Sequence, residues 1–583
     1  MFKKLAALRP YVWKYRNGFL LGAVYVLINN ALGVIWPQII RRAMNDLNTK
    51  ITHEKIVNYA GLLLAVVLVK GIFQYLTRWN LIGISREIEY DLRNDLFRHL
   101  ESLSYGFYQR TRTGDIMARA TNDLNAVRML LGPGIMYSAN TLCFTAFALF
   151  FMVRISPSLT IWTFLPLPIA TTLVQYFGRK IHERFEKIQE MFSDISARAQ
   201  ENFSGARFIR AYVQEEAEIR QFETANVEYI NRSLKLVRLM GMLWPTLETL
   251  LGLAIILVLW LGGRQVIQHR INVGDFVAYN TYMVQLTWPV IALGWVINLF
   301  MRGTASLERI NQIMVEKPAI TDANVAPDLA GKRLTLRGDI EFRNLQYAFG
   351  DTKVLRGIDL VIPSGTSLAI VGPTGSGKTT LVNLIPRIYD ATRGQVLIDG
   401  RPIADYPLET LRRNIGFVPQ ETFLFSETIR ENIAFGVDSA TDEEVRRAAQ
   451  IAHIAGDIEE FPLQYNTVVG ERGITLSGGQ KQRTAIARAI IRDPRILILD
   501  DALASVDTYT EERILNELRE LMRGRTTIFI SHRVSTVKNA DQIAVLHDGR
   551  IVELGSHDEL LARDGYYTDL FNKQLLEEEL ASV

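Results

Sequence analysis

The 583-residue sequence predicts a membrane α-helical domain, six transmembrane helices with long cytoplasmic extensions, followed by an α/β domain built around a glycine-rich P-loop. Three observations carry this fold class. Residues up to about 315 hold repeated apolar runs, each near the ~20 residues that a bilayer requires. From residue 337 onward, short β-rich runs such as "SLAIVG", "ILILD" and "TTIFISH" alternate with helical stretches, as in a mostly parallel sheet flanked by helices. Between two such stretches lies "GPTGSGKT", residues 372–379.

The six apolar runs are 18–38, 57–78, 130–153, 158–177, 244–266 and 276–299. Pro166 and Pro168 interrupt the fourth, which membrane helices tolerate when neighbours satisfy the freed carbonyls. Lys3, Lys4, Arg9, Lys14 and Arg16 precede the first run and read as a cytoplasmic anchor. The run is long enough to span and no small-residue cleavage site follows, which argues against a signal peptide. Two long polar segments follow the second and fourth runs. One carries Arg86, Arg93, Arg98, Arg110, Arg112 and Arg119, and the other is equally basic, from Arg179 to Lys235. Both belong in the cytoplasm by the positive-inside rule, and an even number of spans puts both termini there. The short loop holding Arg41, Arg42, Lys50 and Lys55 opposes this orientation, but two larger basic segments outweigh it.

Composition excludes other classes. A net charge of +3, with the basic residues dispersed, gives no nucleic-acid footprint. The single cysteine, Cys143, rules out an intrachain disulfide and a cysteine-based metal cluster. The domains expected are 1–315 (membrane), 316–336 (a linker with two prolines and no apolar periodicity) and 337–583 (nucleotide-binding).

"GPTGSGKT" fits G-x-x-x-x-G-K-[ST] between a strand-like and a helix-like run, the context that motif needs. Gly372, Gly375 and Gly377 let the backbone N–H groups, with Ser376 and Thr380 beside them, turn toward phosphate oxygens. Lys378 reaches the β- and γ-phosphates, and Thr379 offers its hydroxyl to Mg²⁺. Asp500 ends the apolar run "RILIL" at the carboxyl edge of a strand, where it is the expected partner of that Mg²⁺. ATP and Mg²⁺ are the ligands this set suits.

"LSGGQKQR", residues 476–483, adds a second anion-binding N-terminus at Ser477, Gly478, Gly479 and Gln480. One domain has no use for two sites for the same phosphate, so the second serves another molecule's ATP across a dimer. With this motif the sequence resembles the ATP-binding cassette (ABC) transporters over nearly its whole length, with an α/β P-loop ATPase domain behind the membrane helices. The resemblance implies further roles. Gln420 in "GFVPQE" looks like the residue that senses Mg²⁺ and the γ-phosphate, Glu471 in "TVVGERG" like a contact to the partner's coupling helix, and His532 in "ISHR" like the switch histidine. Asp507 ends the D-loop, although Ala504 stands where the family usually has serine. Phe349 falls where an aromatic ring stacks on adenine. "RTRTGDIMARATND" (110–123) and "FSGARFIRAYVQEE" (203–216) resemble the two coupling segments of type IV exporters. A multi-pass protein of the cell (inner) membrane with a cytoplasmic ATPase domain is implied.

One position departs from the family. After the metal-binding acid, the usual general base is glutamate; here it is Asp501. Aspartate is about 1.5 Å shorter, one C–C bond, and a misplacement of about 1 Å costs on the order of 10²-fold in rate. Asp501 is therefore expected to hydrolyse ATP slowly or hardly at all, while the signature motif is intact. That pattern resembles the degenerate-site (A) half of heterodimeric multidrug exporters of the TmrAB type, and implies a second half-transporter carrying a glutamate base. The competing reading is a homodimeric exporter or lipid flippase in which Asp501 works. Cargo would be small hydrophobic molecules, lipids or peptides. Glu248, Asn140, Gln285, Trp288, Trp295 and Asn298 are candidate cavity residues, each equally suited to helix packing.

Overall fold

The structure, a computed structural model, describes residues 4–582 apart from 48–51, 166, 330, 333, 471–475, 505–507 and 532–536. Contacts divide the chain into two units: Met1–Arg98 with Gly114–Val315, and His99–Thr113 with Glu316–Val583.

The first unit is helical throughout. Among the described residues five helices are long and apolar enough to cross a membrane: Arg16–Leu47, His53–Ser102, Thr113–Ile155, Glu215–Ile267 and Val273–Val315. The predicted run 158–177 is instead divided between helices Pro157–Phe164 and Leu167–Ser204. The break falls at the prolines: Pro168 supplies no N–H to the turn before it, while Leu165 keeps helical dihedrals. Outward faces are apolar, with Leu20, Leu62, Leu64, Ile256 and Leu259 exposed, as lipid contact requires.

Inside this unit, Val34, Met152, Leu159, Val258, Tyr279 and Tyr282 form one buried cluster. Its polar atoms are satisfied, as burial demands. The Tyr282 hydroxyl donates to the Val34 carbonyl at 2.8 Å, and the Tyr279 hydroxyl donates to Thr163 Oγ1 at 3.0 Å. Two π-helical turns, Arg119–Asp123 and Leu130–Gly134, interrupt the helix ending at Ile155; the second contains Pro133. The first presents Asp123 to Arg309, which donates to both carboxylate oxygens at 2.8 and 2.5 Å.

The second unit is built on two sheets. An antiparallel sheet runs β2-β1-β4-β5, and a six-stranded sheet runs β10-β9-β3-β8-β7-β6. The strands are β1 Ile340–Phe349, β2 Thr352–Ile362, β3 Ser367–Val371, β4 Arg393–Ile398, β5 Arg401–Pro402, β6 Ile415–Val418, β7 Ile496–Asp500, β8 Thr526–Ile530, β9 Gln542–His547 and β10 Arg550–Gly555. In the six-stranded sheet every pairing is parallel except β9 with β10. Strands covered on both faces read as unbroken apolar runs, which is why all five residues of β7 are buried. One core lies between the sheets around Ile340, Leu360, Ile370 and Ile498. A second packs helices Ile429–Ala434, Asp442–Ile451 and Gly478–Ile490 on Val418, Leu497 and Leu499. Residues 316–336 have little regular structure, yet Leu329 and Leu336 are buried in the first core.

Candidate functional site

Register decides where the chemistry collects. Ile370 of β3 and Asp500 of β7 are both partnered with Ile530 of the intervening β8. The residues after β3 and the end of β7 therefore emerge side by side at the carboxyl edge, the place where open α/β sheets bind ligands.

The loop after β3 is shaped by its glycines. Gly372 has φ 148°, and a Cβ there would lie 2.0 Å from the Leu546 carbonyl oxygen, so only glycine fits. Gly377, at φ 102°, turns the loop into helix Lys378–Leu384. The Lys378 ammonium is buried and folds back across the loop, donating to the carbonyls of Gly372 at 2.8 Å and Pro373 at 3.0 Å. Burial pulls its pKa down, against the attraction of Asp500 and Asp501.

Thr379 donates its hydroxyl to Asp500 Oδ1 at 3.1 Å. The other carboxylate oxygen, Oδ2, is buried without a hydrogen-bond partner, and so is Ser376 Oγ. An orphaned buried acceptor next to a hydroxyl suits a hard cation. Burial first, and the neighbouring Asp501 charge, push the Asp500 carboxyl up to about 6, with Thr379 and Lys378 opposing. Mg²⁺ would be held by Asp500 and Thr379. Among the described residues no group of three or more His, Cys, Asp or Glu could hold a metal alone, so phosphate oxygens would complete its shell. When bound, it would supply positive charge to the β- and γ-phosphates.

Asp501 follows with φ 50°, a left-handed conformation that aspartate tolerates better than most residues. Its N–H donates to the Ile530 carbonyl at 3.0 Å. It lines a cavity of about 230 Å³ with Ala504 and Ser531.

The signature motif opens helix Gly478–Ile490. Ser477 caps it: the Gln480 N–H donates to Ser477 Oγ at 3.2 Å, and Gln480 Oε1 accepts the Ser477 N–H at 3.0 Å. Among the described residues, the Ser477 hydroxyl proton and the first helical N–H groups, at Gly478 and Gly479, have no partner and can meet an anion. Asp457 fixes this end, accepting from Gln480 Nε2 at 2.9 Å and from Arg483 at 2.8 Å. Within the same helix Gln482 donates to the Asp501 carbonyl at 3.4 Å. Sequence reasoning missed Asp457 and Gln482; Gln482 lay inside the quoted motif, whereas Asp457 carries no local signal.

Phe349 ends β1 with its ring largely exposed and set edge-on to Tyr347 at 4.9 Å and Tyr389 at 5.4 Å. One face is thus available for an adenine. Burial lifts the Tyr347 hydroxyl up to about 12. Gln420 is exposed two residues beyond β6. Glu471, Asp507 and His532 lie outside the described residues. In the helical unit, Asn140, Gln285 and Trp288 line one cavity of about 750 Å³, whereas Glu248, Trp295 and Asn298 do not.

Residues 19–290 match the ABC transporter transmembrane region family, and residues 355–504 match the ABC transporter family. The chain is 36% identical over 580 residues to the Probable multidrug resistance ABC transporter ATP-binding/permease protein YheI of Bacillus subtilis, covering 99% of this chain and 98% of that one. This protein belongs to the ABC transporter family. Other relatives of this ABC transporter include the ATP-dependent lipid A-core flippase of Syntrophus aciditrophicus, 36% identical with 100% and 95% covered. The multidrug resistance-like ATP-binding protein MdlA of Escherichia coli is 34% identical, with 97% and 96% covered. A bacterial Atm1-family ABC exporter solved with ATP bound superposes with a TM-score of 0.78 at 29% identity, covering 96% of this chain and 98% of the other. The ABC transporter therefore has the exporter fold: membrane helices fused to an ATPase domain, in a multi-pass membrane protein whose ATPase domain is cytoplasmic.

Proposed function

We propose that this chain is one half of an ATP-driven exporter that moves amphipathic molecules out of the cytoplasm by alternating access. It binds ATP at a degenerate site of its own and lends its signature motif to the catalytic site of a different half-transporter. The observation that carries this reading is Asp501, one methylene shorter than the family's base, beside a Lys378–Thr379–Asp500 set that is otherwise complete. A general base must come within about 2.6–3.2 Å of its water. Lys378 and the glycine loop still hold phosphate, so binding outlasts hydrolysis. Ser477, which caps its helix beside a Gln480 held by Asp457, keeps its hydroxyl for the partner's ATP. Relatives named for multidrug resistance and for lipid A-core flipping support an amphipathic cargo.

ATP hydrolysis by the purified chain alone, beside Asp501→Ala, tests this. The expected result is little turnover alone, and activity with the partner that tolerates Asp501→Ala but not Ser477→Ala. Brisk turnover by the chain alone, abolished by Asp501→Ala, would instead establish a homodimer with a working aspartate.

A further inference from the structure

Among the described residues, two cations that line a cavity of the helical unit have no counter-charge. Lys70 and Arg78 both lie on helix His53–Ser102 and both line the 750 Å³ cavity. Among the described residues, neither makes an ion pair or hydrogen bond. Elsewhere in this unit Arg41 pairs with Asp275, and Arg128 with Glu89. Intramembrane charges face one another, backbone carbonyls or a functional cavity, because lipid cannot stabilise them. No acidic residue lines this cavity.

Geometry makes the cations a stripe. Lys70, Gln74 and Arg78 recur every four residues, so they share one helix face. Eight residues at 1.5 Å each separate their backbone positions by about 12 Å along the axis, a gap that two long side chains can close from either end. Lys70 sits inside the apolar run and Arg78 toward its cytoplasmic end. The lining is also aromatic, with Trp36, Phe144 and Trp288. Asn29 adds a buried Oδ1 that has no partner. The volume lies within the range that encloses a drug-sized ligand.

We infer that this cavity binds an amphipathic anion, its phosphate or carboxylate between Lys70 and Arg78 and its apolar body against the aromatic wall. This rests on the exporter reading and names its cargo class. A cationic drug would meet two uncompensated positive charges there.

Binding of an ω-bromododecyl phosphate and of the matching trimethylammonium tests the inference, using the full-length chain with any partner it requires, in neutral detergent. Bromine on the probe quenches Trp36 and Trp288 at short range. The phosphate is expected to bind about tenfold or more tightly than the cation, the scale of a charge-assisted hydrogen bond. Lys70→Gln with Arg78→Gln should erase that preference, and Lys70→Arg should keep it. Equal binding of both probes to the wild type would overturn the proposal without any variant. So would an unchanged preference in a double variant that elutes as folded protein. In nanodiscs, competition by phosphatidylglycerol would identify a lipid headgroup as the source, and its failure to compete a free anion; both outcomes support the anion site. ATP-driven movement is measured separately. Movement of amphiphiles without anion preference would sink this proposal alone, whereas no ATP-driven movement of either probe or of lipid would sink the exporter reading.

Discussion

The ring of Tyr105 lies 6.0 Å from that of Tyr389, edge to face, and Tyr389 stands in the same relation to Phe349 at 5.4 Å. A residue just beyond a membrane-crossing helix is thereby two ring contacts from Phe349, the ring proposed to stack on adenine. Segment His99–Thr113 belongs to the same unit as Glu316–Val583. Aromatic pairs of this kind contribute about 0.5–1.5 kcal/mol beyond area. Tyr105→Ala should lower transport per ATP hydrolysed by about 2–10-fold and leave MgATP affinity within about threefold. Phe349→Ala should weaken MgATP itself by about tenfold. Equilibrium nucleotide binding and transport, measured on the same preparation, separate the two.

Asp501→Glu restores the longer base in a backbone held at φ 50°. Left-handed geometry costs an ordinary residue about 1–2 kcal/mol, more than it costs aspartate. The variant should hydrolyse ATP up to about 10²-fold faster when the partner's signature completes the site. It should also melt earlier than wild type. Single-turnover hydrolysis and a melting curve check both halves; no gain in rate would show that length is not what limits this site.

The Asp500 carboxyl, raised to about 6 by burial, has an ordinary value near 4. Its contribution to folding is full below about pH 4 and is lost as pH rises through 6. Without nucleotide, Asp500→Asn should therefore be more stable than wild type at pH 7.5, on the order of 1–3 kcal/mol, and no more stable at pH 4. Mg²⁺ needs the ionised form, so wild-type MgATP binding should weaken about tenfold from pH 7 to 5. The protein's share of that slope should vanish in Asp500→Asn. Titrations of both proteins across this range provide the check.

Arg309 spans Asp123 with two hydrogen bonds, and also donates to Ser306 at 3.0 Å. Arg309→Ala leaves a mostly buried carboxylate with only Ser306 and the nearby Arg119 charge. Arg309 is itself about half exposed, so the expected loss is discounted to about 1–3 kcal/mol. Arg309→Lys keeps the charge but not the fork and should lose less. Thermal melts in detergent rank the three.

Legibility followed locality. The P-loop, Asp500 and the signature were readable because each concentrates its chemistry within a few residues, and the structure brings the first two together through β8. Asp457 could not be read as the anchor of Gln480 and Arg483, because 23 and 26 residues separate the partners. The break at Leu165 was announced by Pro166 and Pro168, but its consequence for helix continuity was not drawn. Lys70 and Arg78 sat in plain view inside the second apolar run. Glu248, by contrast, lies outside the cavity.

Cys143 sits one turn from Asn140, flanking the helix face that lines that cavity, and it packs with the cluster of Met136 and Val26. Because the chain has no other thiol, the natural protein carries one spectroscopic address, already inside the membrane domain. A spin label there would report stoichiometry directly. Two copies of this chain in one assembly give a dipolar pair from identical positions, and a complex with a cysteine-free partner gives an isolated spin.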